Sequence, residues 1–197
     1  EMWHGLLEQS GRPEIESVTN GVHVSSWIGP EISELLTHHM GEARGERGLE
    51  PDFAEEIDAI PDHELWAAHR SQKRRLVTLV RERGLDQCAR HGRSPDALRQ
   101  VGDLLDPDAL TIGFARRFAT SKRADLLLKD LSWLENLVGS TERPVQMIFA
   151  GKAHPIDRPG QDLIRRICEA SGSPEFQGRL VFLENYDMRM GSMLVQG

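Results

Sequence analysis

From Leu110 onward the apolar positions alternate between short unbroken runs and helical stripes. Leu110 to Phe114, VQMIFA at 145–150 and LVFL at 180–183 are short enough, and apolar enough, to be strands covered on both faces. Between them Leu126, Leu127, Leu131, Leu134 and Val138, and then Leu163, Ile164, Ile167 and Cys168, recur at helical spacing. Strand, helix, strand, helix, strand predicts one half of a Rossmann-like parallel sheet, an α/β architecture. Right-handed crossovers would place all three strand ends on one edge. The polar loops there carry Arg117, Lys122, Lys152, His154, Asn185 and Tyr186.

The pattern before Leu110 is mainly helical. Residues 1–17 read as a short helix (Met2, Trp3, Leu6, Leu7) and a Gly11-Arg12-Pro13 turn. Thr19-Asn20-Gly21 is a turn signal between β-branched residues. His23, alternating with Val22 and Val24, fits the exposed side of a strand, and Trp27 fits a packing aromatic. Pro30 suits a first helical position, with a helix to Met40 striped by Ile32, Leu35, Leu36 and His39. Gly41 to Pro51, rich in glycine and charge, predicts an exposed loop. A second helix runs from Asp62 to Arg83, burying Leu65, Ala68, Gln72, Leu76, Leu79 and Val80 and turning Arg70, Lys73, Arg74 and Arg81 to solvent. His63 and His69 flank Glu64 six positions apart, not the four that put two zinc ligands on one helix face, so no metal site is expected. Ser94-Pro95 caps a short helix through Leu98 and Val101, and Asp106-Pro107-Asp108 breaks the chain before the first strand.

Composition narrows the classes. The 197 residues are 39% hydrophobic and 28% charged, which suits a soluble globular chain. A net charge of −7 argues against nucleic acid or a membrane surface as a general partner. No apolar run approaches the roughly 18–20 residues of a membrane span. Cys88 and Cys168 have no metal-type spacing and read as free thiols of a reducing compartment. The two ends, Glu1-Met2 and Met193-Leu194-Val195 running into Gly197, suggest a piece of a longer protein.

Against this acidic background Arg116, Arg117, Lys122 and Arg123 stand out. They lie between the end of the first strand and a helix expected to start after Lys122. Ligands of open α/β sheets bind at such strand ends, a helix start adds unpaired N–H groups, and an arginine fork matches phosphate. A solvated charge run is the plain alternative. Lys152 and His154 taken singly read as loop structure, and Gly151-Lys152 lacks the spacing of a phosphate loop.

Three blocks together resemble the α-glucan (glycogen, maltodextrin) phosphorylases of the shorter bacterial type: VTNGVHVSSWIGPE, LTIGFARRFATSKRA with FAGKAHP, and VFLENYD. The resemblance implies a glycosyltransferase B-type fold, with this chain at the beginning of its second lobe. It assigns 1–17 to the end of the first lobe or a linker, 18–105 to a cleft-lining turn and helical segment, and 106–197 to a truncated β-α-β-α-β unit. It implies phosphorolysis of an α-1,4-glucan by inorganic phosphate to glucose 1-phosphate, with pyridoxal 5'-phosphate as cofactor, in a cytoplasmic enzyme whose full-length form is a candidate homo-oligomer. By resemblance, Arg117 and Lys122 hold the substrate and cofactor phosphates, and Arg116 stands near the cofactor phosphate. Asn20 meets the glucose 6-hydroxyl, and Trp27 and Tyr186 line the cofactor pocket. Ser121 departs from the family tyrosine that touches the sugar. The lysine that anchors the cofactor, in a Gly-Met-Lys segment of the family, is not in this sequence, so the chain alone is expected to be inactive. The alternatives are a retaining nucleotide-sugar glycosyltransferase and a non-catalytic anion-binding scaffold.

Overall fold

A computed structural model of the chain describes residues 17–41 and 53–197. The helix and turn expected over 1–16 and most of the loop at 41–51 lie outside the described residues. Strands β1 (Leu110–Ala115), β2 (Val145–Ala150) and β3 (Leu180–Leu183) form a parallel sheet in the order β1-β2-β3. Register runs Leu110↔Val145 to Ala115↔Ala150, and Met147↔Leu180 to Ala150↔Leu183.

Every residue of β2 and β3 is buried, and they divide between the faces with a period of two. Val145, Met147, Phe149, Leu180 and Phe182 meet Leu134, Val138, Leu163 and Ile167 on one face. These come from α6 (Leu131–Gly139) and α7 (Arg158–Ser171). Ile148, Ala150, Val181 and Leu183 meet Leu76, Val77, Val80 and Met190 on the other. Those belong to α4 (Asp62–Arg90) and α8 (Met188–Gln196). At roughly 1.5–3 kcal/mol per fully buried aliphatic or aromatic side chain, these two layers hold the unit together.

Four further helices precede or follow α4 in outline: α1 (Val24–Trp27), α2 (Pro30–Met40) and α3 (Phe53–Asp58) before it, α5 (Pro95–Val101) after. Ser94 caps α5 by accepting from Ala97 N–H, as its sequence predicts.

Several local expectations are corrected. Residues 17–23 form no strand; Val18 and Val22 are 94% and 75% exposed, with no neighbour to supply a ladder. Helix α4 continues past Arg83 to Arg90, and at Gly84 the missing side chain lets Val101 of α5 pack close. Leu65 is 38% exposed, whereas Lys73, expected in solvent, is 3% exposed. Its ammonium donates to Ala109 O at 2.9 Å and lies 5.7 Å from the Trp66 ring. Burial lowers the Lys73 pKa, partly opposed by Asp108 and Asp106. Arg81 also turns inward, donating to the carbonyls of Leu104 and Leu105 at 2.9 Å each. Helix α8, unforeseen in the sequence, is capped by Asp187.

Candidate functional site

The loop after β1 is pinned by its one apolar member. Phe118 is fully buried, its ring 5.5 Å from Phe114 and 5.7 Å from Phe182. Its backbone N–H donates to Lys152 O at 3.0 Å, joining the loop to the one after β2. Gly151 is needed at that junction. Its φ is +154°, and a Cβ there would run into the carbonyl oxygen of Arg116 and the Phe118 ring. Driving Phe118 inward leaves Arg116, Arg117, Ser121, Lys122 and Arg123 exposed on a fixed frame.

The expected helix start at Lys122 is not there. Thr120–Lys122 and Leu126–Lys129 form single 3₁₀ turns, separated by Arg123 in the left-handed region (φ +52°). Helix α6 begins only at Leu131, where Asp130 accepts from Trp133 N–H at 2.9 Å. No helix dipole therefore points from Lys122 at an anion, and the attraction rests on side-chain charge alone. That charge is uncommitted. Among the described residues, the side chains of Arg116, Arg117, Lys122, Arg123 and Lys152 take part in no ion pair or hydrogen bond. Arg166, by contrast, is engaged with Asp125 at 3.3 Å. Unpaired cations on a rigid loop at strand ends can hold a phosphate without first breaking internal contacts.

Tyr186 lies at the same edge of the sheet, after β3, but packs toward the opposite face with Leu183 and Met190. Its hydroxyl reaches 2.5 Å from where a Cβ of Gly191 would sit, so glycine admits the ring against α8. Trp27 also meets α8, through its carbonyl, which accepts from Gln196 Nε2 at 3.2 Å. Gly191 and Gln196 are about 7–8 Å apart along the helix axis, and no ring contact joins the two aromatics. Asn20 is exposed in the segment 17–23, with no hydrogen bond to the basic loop. His154 faces its own turn, its Nδ1 accepting from Ile156 N–H at 3.3 Å. The structure thus joins the loops after β1 and β2, seats Tyr186 and the Trp27 carbonyl against α8, and makes no hydrogen bond between Asn20 and the basic loop. The C-terminal end of α4, whose Arg90 and His91 reach Glu184, lies beyond the expected helix stop at Arg83 and was not foreseen in the sequence.

Among the described residues, no group of three or more His, Cys, Asp and Glu side chains could hold a metal ion. His39 instead engages Glu64 at 2.9 Å, and this contact lowers the Glu64 pKa. No described helix is long and apolar enough to cross a membrane.

No family model matches the chain. Relatives align along all of it. It is 40% identical to a glycogen phosphorylase of Aquifex aeolicus over 197 residues, 28% of that protein. It is 39% identical to a maltodextrin phosphorylase of Thermococcus litoralis, covering 23%, and 36% identical to a glycogen phosphorylase of Mycobacterium bovis, covering 22%. The chain spans about a quarter of the length of these curated relatives.

Proposed function

We propose that this chain, a homologue over its whole length of one segment of the glycogen and maltodextrin phosphorylases, supplies the phosphate-holding side of an α-1,4-glucan phosphorolysis site. In this reading residues 1–17 end a first lobe or linker, 18–105 line the cleft, and 106–197 begin the second lobe's sheet. The observation that carries the proposal is the set of uncommitted cations, Arg116, Arg117 and Lys122, on loops that Phe118 and Gly151 hold rigid.

The reaction requires inorganic phosphate to approach the glucosyl carbon beside a second phosphate group, that of pyridoxal phosphate. Arg117 offers two parallel N–H donors to the attacking phosphate. Lys122 would hold both the substrate and the cofactor phosphate, and Arg116 would hold the cofactor's. Each cation lowers a repulsion that at low dielectric would otherwise keep two anions apart. The unpaired, exclusively basic donor set fits a phosphate monoester. When bound, pyridoxal phosphate would supply a phosphate group able to exchange a proton with the substrate phosphate. None of the four lysines, Lys73, Lys122, Lys129 and Lys152, follows a Gly-Met pair as the family's anchoring lysine does, so by resemblance that lysine is assigned elsewhere in the enzyme. Tyr186 and Trp27 are assigned to the cofactor wall and Asn20 to the glucose 6-hydroxyl. Ser121, shorter than tyrosine, would meet the sugar through water.

The test is glucose 1-phosphate release from glycogen and inorganic phosphate. The full-length enzyme should produce it, and the 197-residue chain with added pyridoxal phosphate should not. Sustained turnover by the chain alone would refute this division of labour. Failure of the full-length enzyme to use phosphate would refute the reaction.

A further inference from the structure

Among the described residues, β3 has no strand beyond it. Met147 N–H donates to Arg179 O at 2.7 Å, so Arg179, Val181 and Leu183 turn their backbone groups to β2. Leu180, Phe182 and Glu184 must turn theirs outward. One residue of a parallel neighbour would there donate to Phe182 O and accept from Glu184 N–H. The side chain of Gln87 makes both bonds: Nε2 donates to Phe182 O at 3.3 Å, and Oε1 accepts from Glu184 N–H at 3.1 Å. Its carboxamide takes the place of a peptide group.

The same face of α4 reaches the turn that follows. Arg83, Gln87, Arg90 and His91 lie at helical spacing. Arg83 pairs with Asp187. Glu184 receives Arg90 at 3.2 Å and His91 at 2.8 Å. With its amide oxygen facing Arg90, Asn185 accepts from Nη1 at 2.9 Å. Asn185 is left-handed at φ +54°, a conformation costly outside glycine and kept only where the surroundings hold it. Tyr186 follows directly.

We propose that Gln87 is a positioning residue: by standing in for the backbone amide of a neighbouring strand, it fixes the end of β3 and so the turn that presents Tyr186. The consequence for a cofactor pocket, though not the clamp itself, rests on the reading given under Proposed function.

Amide hydrogen exchange, read by mass spectrometry on the full chain, tests the clamp. Gln87→Leu keeps the bulk and removes both bonds. Exchange over 184–187 should quicken at least about tenfold while β2 stays unchanged, since a lost hydrogen bond acts locally. Gln87→Glu keeps the acceptor for Glu184 N–H and should show the same effect at smaller size; it also serves if Gln87→Leu does not fold. Unchanged exchange over 184–187, or equal quickening in β2, would overturn the proposal. In the full-length enzyme, release of pyridoxal phosphate on dialysis is the second readout. Faster release from Gln87→Leu, with the glucan KM unmoved, supports both statements. A loosened turn with unchanged release supports the clamp and removes Tyr186 from the cofactor wall.

Discussion

Lys122 is exposed on a 3₁₀ turn, unpaired, and set in place by a neighbour four residues earlier whose ring is fully buried. If its charge serves two converging phosphates, it stabilises the transition state more than the bound glucan. Lys122→Ala in the full-length enzyme should then lower kcat at least about tenfold, as loss of a charge-assisted hydrogen bond of roughly 1.5–3 kcal/mol predicts. The glucan KM should change little. Arg117→Lys should raise the phosphate KM, because an ammonium cannot reproduce a two-pronged contact. A lysine that only decorated the surface would leave kinetics untouched and stability within about half a kcal/mol. Steady-state kinetics with phosphate and glucan varied separately decide between these outcomes, and wild-type kcat in Lys122→Ala would defeat the assignment.

At the scale of elements, α8 depends on its first residues. Asp187 accepts from Met190 N–H at 2.8 Å and pairs with Arg83. The capping bond first, and then Arg83, hold its carboxyl below the usual carboxylate range. A carboxyl whose folded pKa is depressed contributes stability above its unfolded pKa and loses it as pH falls through the folded one. Asp187→Ala should therefore destabilise by about 1 kcal/mol at neutral pH, the usual worth of a cap. The difference from wild type should close below about pH 4, where an unperturbed aspartate begins to protonate. Urea melts of both proteins at pH 7 and under acid conditions measure it. A gap that stayed constant with pH would mean that Asp187 acts through packing rather than charge.

At the scale of the molecule, the two edges of the sheet differ. Gln87 seals part of the β3 edge, whereas among the described residues β1 has no strand on its outer side. Leu110 N–H donates to Pro144 O, so the backbone groups of Thr111, Gly113 and Ala115 point away from β2 without a ladder partner. Beside them Leu110 and Ile112 are 62% and 39% exposed. An unpaired strand with apolar side chains is a template for association. The isolated chain should sediment as a concentration-dependent mixture rather than a monomer. Thr111→Pro, which removes one outward donor, should shift it toward monomer; a wild-type chain monomeric across the concentration range would contradict this. The relatives are several times longer, so in a full-length enzyme this edge has other polypeptide available to it.

The sequence determined the strands, the helices between them and the position of the basic loop, because each is a local matter; α8, which also covers the sheet, it did not show. Unbroken apolar runs favour burial on both faces, which β2 and β3 reach, and a period of 3.6 buries one side. Strand β1, expected to be covered in the same way, keeps Leu110 and Ile112 exposed because no described strand lies beside it. Ser94-Pro95 was legible because a cap, too, follows from one or two residues, whereas the need for Gly151 appeared only with the Arg116 carbonyl and Phe118 ring beside it. What only the tertiary structure decided depends on partners far apart in the chain. Lys73 reads as a solvated lysine until Ala109 supplies its acceptor, and Gln87, past the expected helix stop, gains a role only where β3 ends beside it. The helix expected after Lys122 yielded to Arg123 and to the stronger cap at Asp130. The β-branched run around Asn20 formed no strand because a strand needs a neighbour, and the fold put none there.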